Sequence, residues 1–363
     1  MIFRRSTFFV SIILFAFFVG AQINVVPNAT KANYLILVIC FFAFLTKREL
    51  VKDRVLLLFP VIFFPIVIGF FEYPSLAIKH ALLSMLALIP FIFIRFTFDL
   101  KECKLFLYAY VVSALFFLIF VPFTNQEFRT DSIFENAILS PVSSFVFVFL
   151  ISQRDKLFDS RMLLLVFLVL AFVIMFLTNK RIAILSTIVG VSLLFYPRKK
   201  FGNERYLVTL LPFITFFILY LFANGTFDSF IFEKFHQSPN EFSQGRYYIF
   251  WDFYRIYFSV ADFHNVLIGN GLGFTEDFML HSDYVPDNIN LLHSDHLKMI
   301  SEYGVIGTLF YYIIFMYRVK TKLSYSLFVM LLVQFTTDNI LIYPAVVFTF
   351  YYFYKYSEVN YAK

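Results

Sequence analysis

Long apolar runs, separated by short clusters of charged residues, make up almost the whole chain. A hydrocarbon layer about 30 Å thick takes about 20 helical residues, and shorter stretches are accommodated by local thinning of the bilayer. The breaks in apolarity predict spans at 7–26, 32–46, 55–71, 76–94, 105–122, 138–152, 162–178, 181–196, 206–222, 297–317, 323–337 and 340–354. The expected fold is an all-α polytopic membrane protein with about 12 transmembrane helices. It forms a single integral membrane domain over residues 1–363, with no internal repeat or second soluble domain. The first run has signal-peptide features, with Arg4 and Arg5 before it and Gly20 and Ala21 at its end. It stays apolar through Val25 and Val26, so an uncleaved first helix is expected. Pro60, Pro65, Pro90, Pro212 and Pro344 fall inside spans, where neighbouring helices satisfy the backbone groups that proline frees.

One segment breaks the rhythm. Residues 223–296 form a long loop of moderate polarity between the ninth and tenth spans, with interfacial helices expected within it. It holds His236, His264, His281, His293 and His296, together with Trp251, the only Trp. Loops longer than about 15 residues are usually functional or disordered, and this one is too aromatic for disorder.

Composition supports the membrane reading. Of the 363 residues 60% are hydrophobic and 15% charged, and 56 Phe with 23 Tyr bring the aromatic share to 22%. Soluble domains average about 45–50% apolar and about 25% charged. A soluble enzyme, a nucleic-acid module and a disordered chain are therefore excluded. The net charge of +6 follows membrane orientation instead. With the N-terminus inside, only Lys31, Lys79, Arg129, Lys180, Arg181, Lys234, Arg246, Arg255 and Lys298 fall outside. The positive-inside rule then makes both termini cytoplasmic and the 223–296 loop external, with no nucleic-acid partner. Cys40 and Cys103 form no CxxC pair, which speaks against a metal or redox site.

The candidate chemistry lies on the outer side. Residues 245–258 predict a helix, with Tyr247, Trp251, Tyr254 and Phe258 on one face. That face reads equally as an anchor in the headgroup layer. Arg246, at its start, gains nothing from the helix dipole, and a guanidinium at headgroup height suits a bidentate phosphate grip. Ile268-Gly269-Asn270-Gly271-Leu272-Gly273 reads as a tight turn; it lacks the Gly-Lys-Ser/Thr of a phosphate-binding loop. His293, Ser294, Asp295, His296 and Leu297 lead into the tenth span. His293 and His296 share a helical face, but the spacing is not HExxH and no third ligand is evident, so no metal is expected. Lys180-Arg181 sits in a short external hairpin against the charge bias, open to a functional reading or to simple snorkelling.

The order of these elements resembles the O-antigen polymerase and O-antigen ligase superfamily of bacterial membrane glycosyltransferases. In that superfamily a large late periplasmic loop opens with an Arg followed five residues later by Trp, as in Arg246 and Trp251. A Gly-rich turn follows, then a His-Asn/Ser-x-x-Leu element, here His293 to Leu297, and a Glu-x-Gly-x-x-Gly helix, here Glu302 to Gly307. A Ser-Arg pair at the outer start of a middle helix is matched by Lys180-Arg181, with Lys in place of Ser.

The resemblance implies an enzyme of the bacterial inner membrane that transfers sugars from an undecaprenyl-diphosphate-linked oligosaccharide to a second such acceptor. It needs no cofactor and no metal. His293 would be the general base, a role worth roughly 10²–10⁴ in rate, and Arg181 and Arg246 would bind the diphosphate. Asp295 or Asp338 would orient His293, Trp251 would stack on a sugar or anchor the loop, and Glu302 would support the site. An O-antigen or capsular polysaccharide polymerase, with a chain-length regulator as partner, is preferred over a ligase that moves finished polymer to lipid A-core. Polymerases are the more diverse group, and this chain departs from the pattern at Lys180. A flippase or transporter of lipid-linked oligosaccharide is the alternative from another class, but it would place ionisable residues deep within several spans. A non-catalytic scaffold is a weaker alternative still.

Overall fold

The computed structural model describes residues 59–81, 100–121, 136–178, 180–197, 203–282, 292–317 and 319–359. The expected spans 7–26 and 32–46 and both termini lie outside them, as does most of 76–94. Among the described residues every regular element is helical.

The helices bearing on the site are α1 (Phe59–Glu72), α2 (Leu100–Phe120), α3 (Leu139–Ser152), α4 (Arg161–Leu177), α5 (Arg181–Phe195) and α6 (Leu211–Ala223). They continue with α7 (Asp228–Phe235), α8 (Arg246–Val260), α9 (Phe263–Ile268), α10 (Phe274–His281), α11 (Asp295–Tyr317), α12 (Lys322–Gln334) and α13 (Pro344–Val359). Leu100–Phe120, Arg205–Ala223 and Asp295–Tyr317 are long and apolar enough to cross a membrane, and α3, α4, α5 and α12 are shorter apolar helices. The run expected at 340–354 starts later than its apolarity suggests. Ile340–Ile342 form a 3₁₀ turn, and the α-helix begins at Pro344, whose fixed φ suits a first helical position.

The main core lies among α2, α3, α4, α12 and α13, where Phe106, Phe149 and Phe353 interlock. Within it runs a polar seam. Ser143 and Ser144 donate back to Leu139 and Pro141 carbonyls, and Gln334 Nε2 donates to Ser144 Oγ at 2.7 Å and Ser186 Oγ at 3.0 Å. In a membrane, where apolar burial between helices gives little drive, such bonds join α3, α5 and α12.

The 223–296 segment carries its own core. Leu219, Phe250, Phe253, Tyr254, Tyr257, Phe278 and Leu297 pack together. Helix α8 covers the predicted stretch, but its buried face is Phe250, Phe253, Tyr254 and Tyr257; Phe258 is 52% exposed. The apolar stripe is turned because α6 sets the contact. Phe216 of α6 packs edge-on against both Tyr254 and Tyr257, and the Tyr254 hydroxyl donates to the Phe216 carbonyl at 2.6 Å.

The two glycine motifs form a single joint. Helix α11 kinks at Gly304, where φ is 66° and ψ 179°. The Gly-rich turn before α10 docks on that kink: Asn270 N–H donates to the Ser301 carbonyl at 2.9 Å and Gly271 N–H to the Glu302 carbonyl at 3.1 Å. A Cβ at Gly269 would stand 2.2 Å from the Glu302 oxygen, and one at Gly304 would stand 2.4 Å from Gly269 N. Glycine is required on both faces because the backbones touch.

Candidate functional site

His293 stands just before α11, at the end of the chain that returns from α10. Its φ is +57°, a left-handed conformation that costs a non-glycine residue about 1–2 kcal/mol. Helix α11 holds it there. Ser294 Oγ accepts the Leu297 N–H at 3.3 Å as an N-cap and donates to the Phe335 carbonyl at 3.3 Å. Asp295 N–H donates to the Asp338 carbonyl at 3.2 Å, and the fully buried Asp295 carboxylate accepts the Leu341 N–H at 2.9 Å. The junction 335–341 therefore grips the start of α11 on its backbone.

The side chain is partly buried, and its Nδ1 is buried with no hydrogen-bond partner among the described residues. Burial pushes the imidazole well below its usual range, to about 4; Arg246 and Lys180 add to that shift and Asp338 opposes it. Three segments distant in sequence thus place charge on one imidazole. Lys180 Nζ lies 3.4 Å from Asp338 Oδ2, with both side chains largely buried. Asp338 Oδ1 accepts the Asn339 N–H at 2.9 Å. Near neutral pH the ring is an uncharged acceptor beside two cations and one carboxylate.

The other expected residues fall in different places. Arg246 opens α8 behind Gly245, is partly buried, and its guanidinium has no ion pair or hydrogen bond among the described residues. Arg181 opens α5 on an exposed position, while Lys180, one residue earlier, turns to Asp338. The sequence marks the Lys180-Arg181 pair by its position against the charge bias, but not Asp338 as the partner of Lys180. Trp251 is partly buried under the Arg255 guanidinium, 5.3 Å from the ring centroid. Glu302 is fully buried, and its Oε1 accepts the Gly273 and Thr275 N–H groups at 3.3 and 3.2 Å. It thus caps α10 and ties it to the α11 joint.

His296, considered beside His293 as a ligand, is a core residue. Its Nε2 faces the Leu332 carbonyl at 2.8 Å and so carries the proton; its Nδ1 lies 3.0 Å from the Tyr312 hydroxyl. Both ring nitrogens are engaged, and the residue is fully buried. His296→Leu is expected to destabilise the protein by about 1–3 kcal/mol, because the Leu332 carbonyl loses its donor. A lowered thermal transition in detergent, with His296→Gln partly restoring it, checks this.

Residues 166–312 match a family model described as O-antigen ligase. The matched stretch runs from α4 into α11 and contains Lys180, Arg181, Arg246, His293, Asp295 and Glu302; Asp338 lies beyond it. The match supports the O-antigen polymerase and ligase superfamily, and with it a bacterial membrane enzyme of polymerase or ligase type. Neither the comparison with curated proteins nor that with solved structures gave a match.

Proposed function

We propose that this chain polymerises oligosaccharide repeat units carried on undecaprenyl diphosphate, on the outer face of the bacterial inner membrane. The observation that carries the reading is His293: strained, neutral, with a free ring nitrogen, and flanked by Arg246 and Lys180. The acceptor sugar hydroxyl attacks the anomeric carbon of the donor. The bond from that carbon to the diphosphate oxygen breaks, and the hydroxyl proton passes to His293. Charge gathers on the departing diphosphate, where Arg246 offers a fork of donors and Lys180 a point charge. Arg181, exposed at the start of α5, would serve as a second grip on the diphosphate. Direct displacement with His293 as the base inverts the anomeric configuration.

The same cations that depress His293 are the ones an anionic donor would neutralise. Donor binding therefore raises the basicity of the ring, so the base strengthens when substrate is present. Asp338 holds Lys180 in the absence of donor and shares it with the diphosphate afterwards.

Ligation of finished polymer to lipid A-core is the second reading, favoured by the description of the matching family model. Strains lacking the gene separate the two. Loss of a polymerase leaves lipopolysaccharide capped by single repeats, whereas loss of a ligase leaves bare core. In such a strain Arg246→Ala is expected to restore less than a hundredth of the polymer, and Arg246→Lys only a small part of it. Full activity from Arg246→Lys would show that no bidentate phosphate contact is made there.

A further inference from the structure

A second charged cluster joins three parts of the chain. Lys79 Nζ bridges both oxygens of Glu276 at 2.6 and 2.8 Å. His80 Nε2 meets Glu276 Oε2 at 2.7 Å, and Lys298 Nζ meets His80 Nδ1 at 2.8 Å. Lys79 and His80 lie on the helical stretch 74–81, Glu276 on α10 and Lys298 on the first turns of α11. His80 is 4% and Glu276 9% exposed, while the Lys79 side chain is 38% exposed, so the network opens outward at that end.

A carboxylate only accepts, so His80 Nε2 donates to Glu276, and its Nδ1 faces Lys298 Nζ. Burial pushes Glu276 up, but His80 and Lys79 outweigh it and hold the carboxyl at about 2, so it stays charged. Two ammoniums share one carboxylate. Lys79 takes that carboxylate at both oxygens, and Lys298 is bonded to the His80 ring. Asp295, one turn earlier on α11, adds a second acid near Lys298 and accepts the Leu341 N–H at one oxygen. Lys298 Nζ, bonded to a ring nitrogen, keeps N–H donors for an anion.

We propose that Lys298, braced by His80 and Glu276 and joined by Lys79, forms a second phosphate subsite, distinct from the one at Arg246. Within the polymerase reading, on which this part rests, it takes the diphosphate of the second lipid-linked substrate. Two diphosphate lipids must meet in that reaction, and Lys298, on the first turns of α11, follows His293 by five residues.

The test is stoichiometry with the full chain in phosphatidylcholine nanodiscs and geranyl diphosphate as probe, followed by calorimetry. Wild type is expected to bind two equivalents, Lys298→Gln one, Arg246→Ala one, and the double variant none. Lys298→Arg keeps both. Lys298→Gln that still binds two, or a wild type whose single equivalent is removed by Arg246→Ala, overturns the second site. If Arg246→Ala binds two and Lys298→Gln one, the second site stands and the Arg246 reading falls instead. Should Lys298→Gln not fold, Lys79→Gln decides: it removes one of the two ammoniums, so affinity for the second equivalent drops about tenfold, and an unchanged affinity overturns the site. The ligand's source is separated by two further arms. Inorganic diphosphate binding as tightly as the geranyl ester marks a free anion, and displacement of the ester in phosphatidylglycerol nanodiscs marks a bulk lipid headgroup.

Discussion

His293→Ala is expected to lower glycosyl transfer by about 10²–10⁴-fold, the range for losing a general base, with folding close to wild type. The residue makes no side-chain hydrogen bond at Nδ1 among the described residues, so little packing energy goes with it. His293→Gly sharpens the test. Glycine adopts φ of +57° freely, so this variant should be more stable than wild type by about 1 kcal/mol while equally inactive. A strained residue whose removal stabilises the fold and destroys activity is held for function. A His293→Gly protein that is destabilised and still makes polymer would remove the catalytic assignment.

The pH dependence gives a second reading of the same residue. The reaction needs neutral His293, so rate is lost as pH falls through its pKa. In the free enzyme that value is held near 4 by burial, Arg246 and Lys180, so kcat/KM should persist to well below the usual histidine range. In the donor complex the cations are neutralised, so the acid limb of kcat should lie at higher pH than that of kcat/KM. Coincident limbs would show that donor charge does not reach the ring. Asp338→Asn removes the one opposing charge and should move the kcat/KM limb further down.

The helical class and the positions of α2 to α5 are readable because an apolar run of sufficient length has few other solutions in a membrane. The His293 element is also readable, since Ser294 is a cap and Leu297 a core residue of the helix it begins. Which basic residue of the 180–181 pair turns inward is not. Lys180 and Arg181 have the same sign and adjacent positions, and the choice depends on Asp338, more than 150 residues later, arriving at 3.4 Å. The Glu276 cluster is hidden for the same reason: Lys79, His80, Glu276 and Lys298 share no motif, only a place in space. The α8 stripe shows the limit of periodicity, which finds a helix but leaves its facing to the neighbour, here Phe216.

Gly269→Ala is expected to damage both the stability and the activity of the protein. Gly269 has φ of +89°, so any side chain costs about 1–2 kcal/mol in backbone strain. The added Cβ would also stand 2.2 Å from the Glu302 oxygen and 2.6 Å from Gly304 N. Those atoms are backbone at the α11 kink, so relief requires the turn and the helix to separate, at about 1–3 kcal/mol for overpacking. Separation endangers the Asn270 and Gly271 bonds to Ser301 and Glu302 as well. Gly245→Ala isolates the first of these costs, because Gly245 has φ of +86° with nothing within 4 Å of its would-be Cβ. In detergent, Gly245→Ala should lower the thermal transition modestly, and Gly269→Ala should lower it about twice as far. The joint also fixes the direction of the first turns of α11, and with them His293, Asp295 and Lys298. Displacement of catalytic groups by about 1 Å costs on the order of 10²-fold, so folded Gly269→Ala protein should lose activity beyond what its lowered abundance explains. Equal losses of stability from the two variants would mean that the turn does not bear on the kink and that the two glycine motifs act separately.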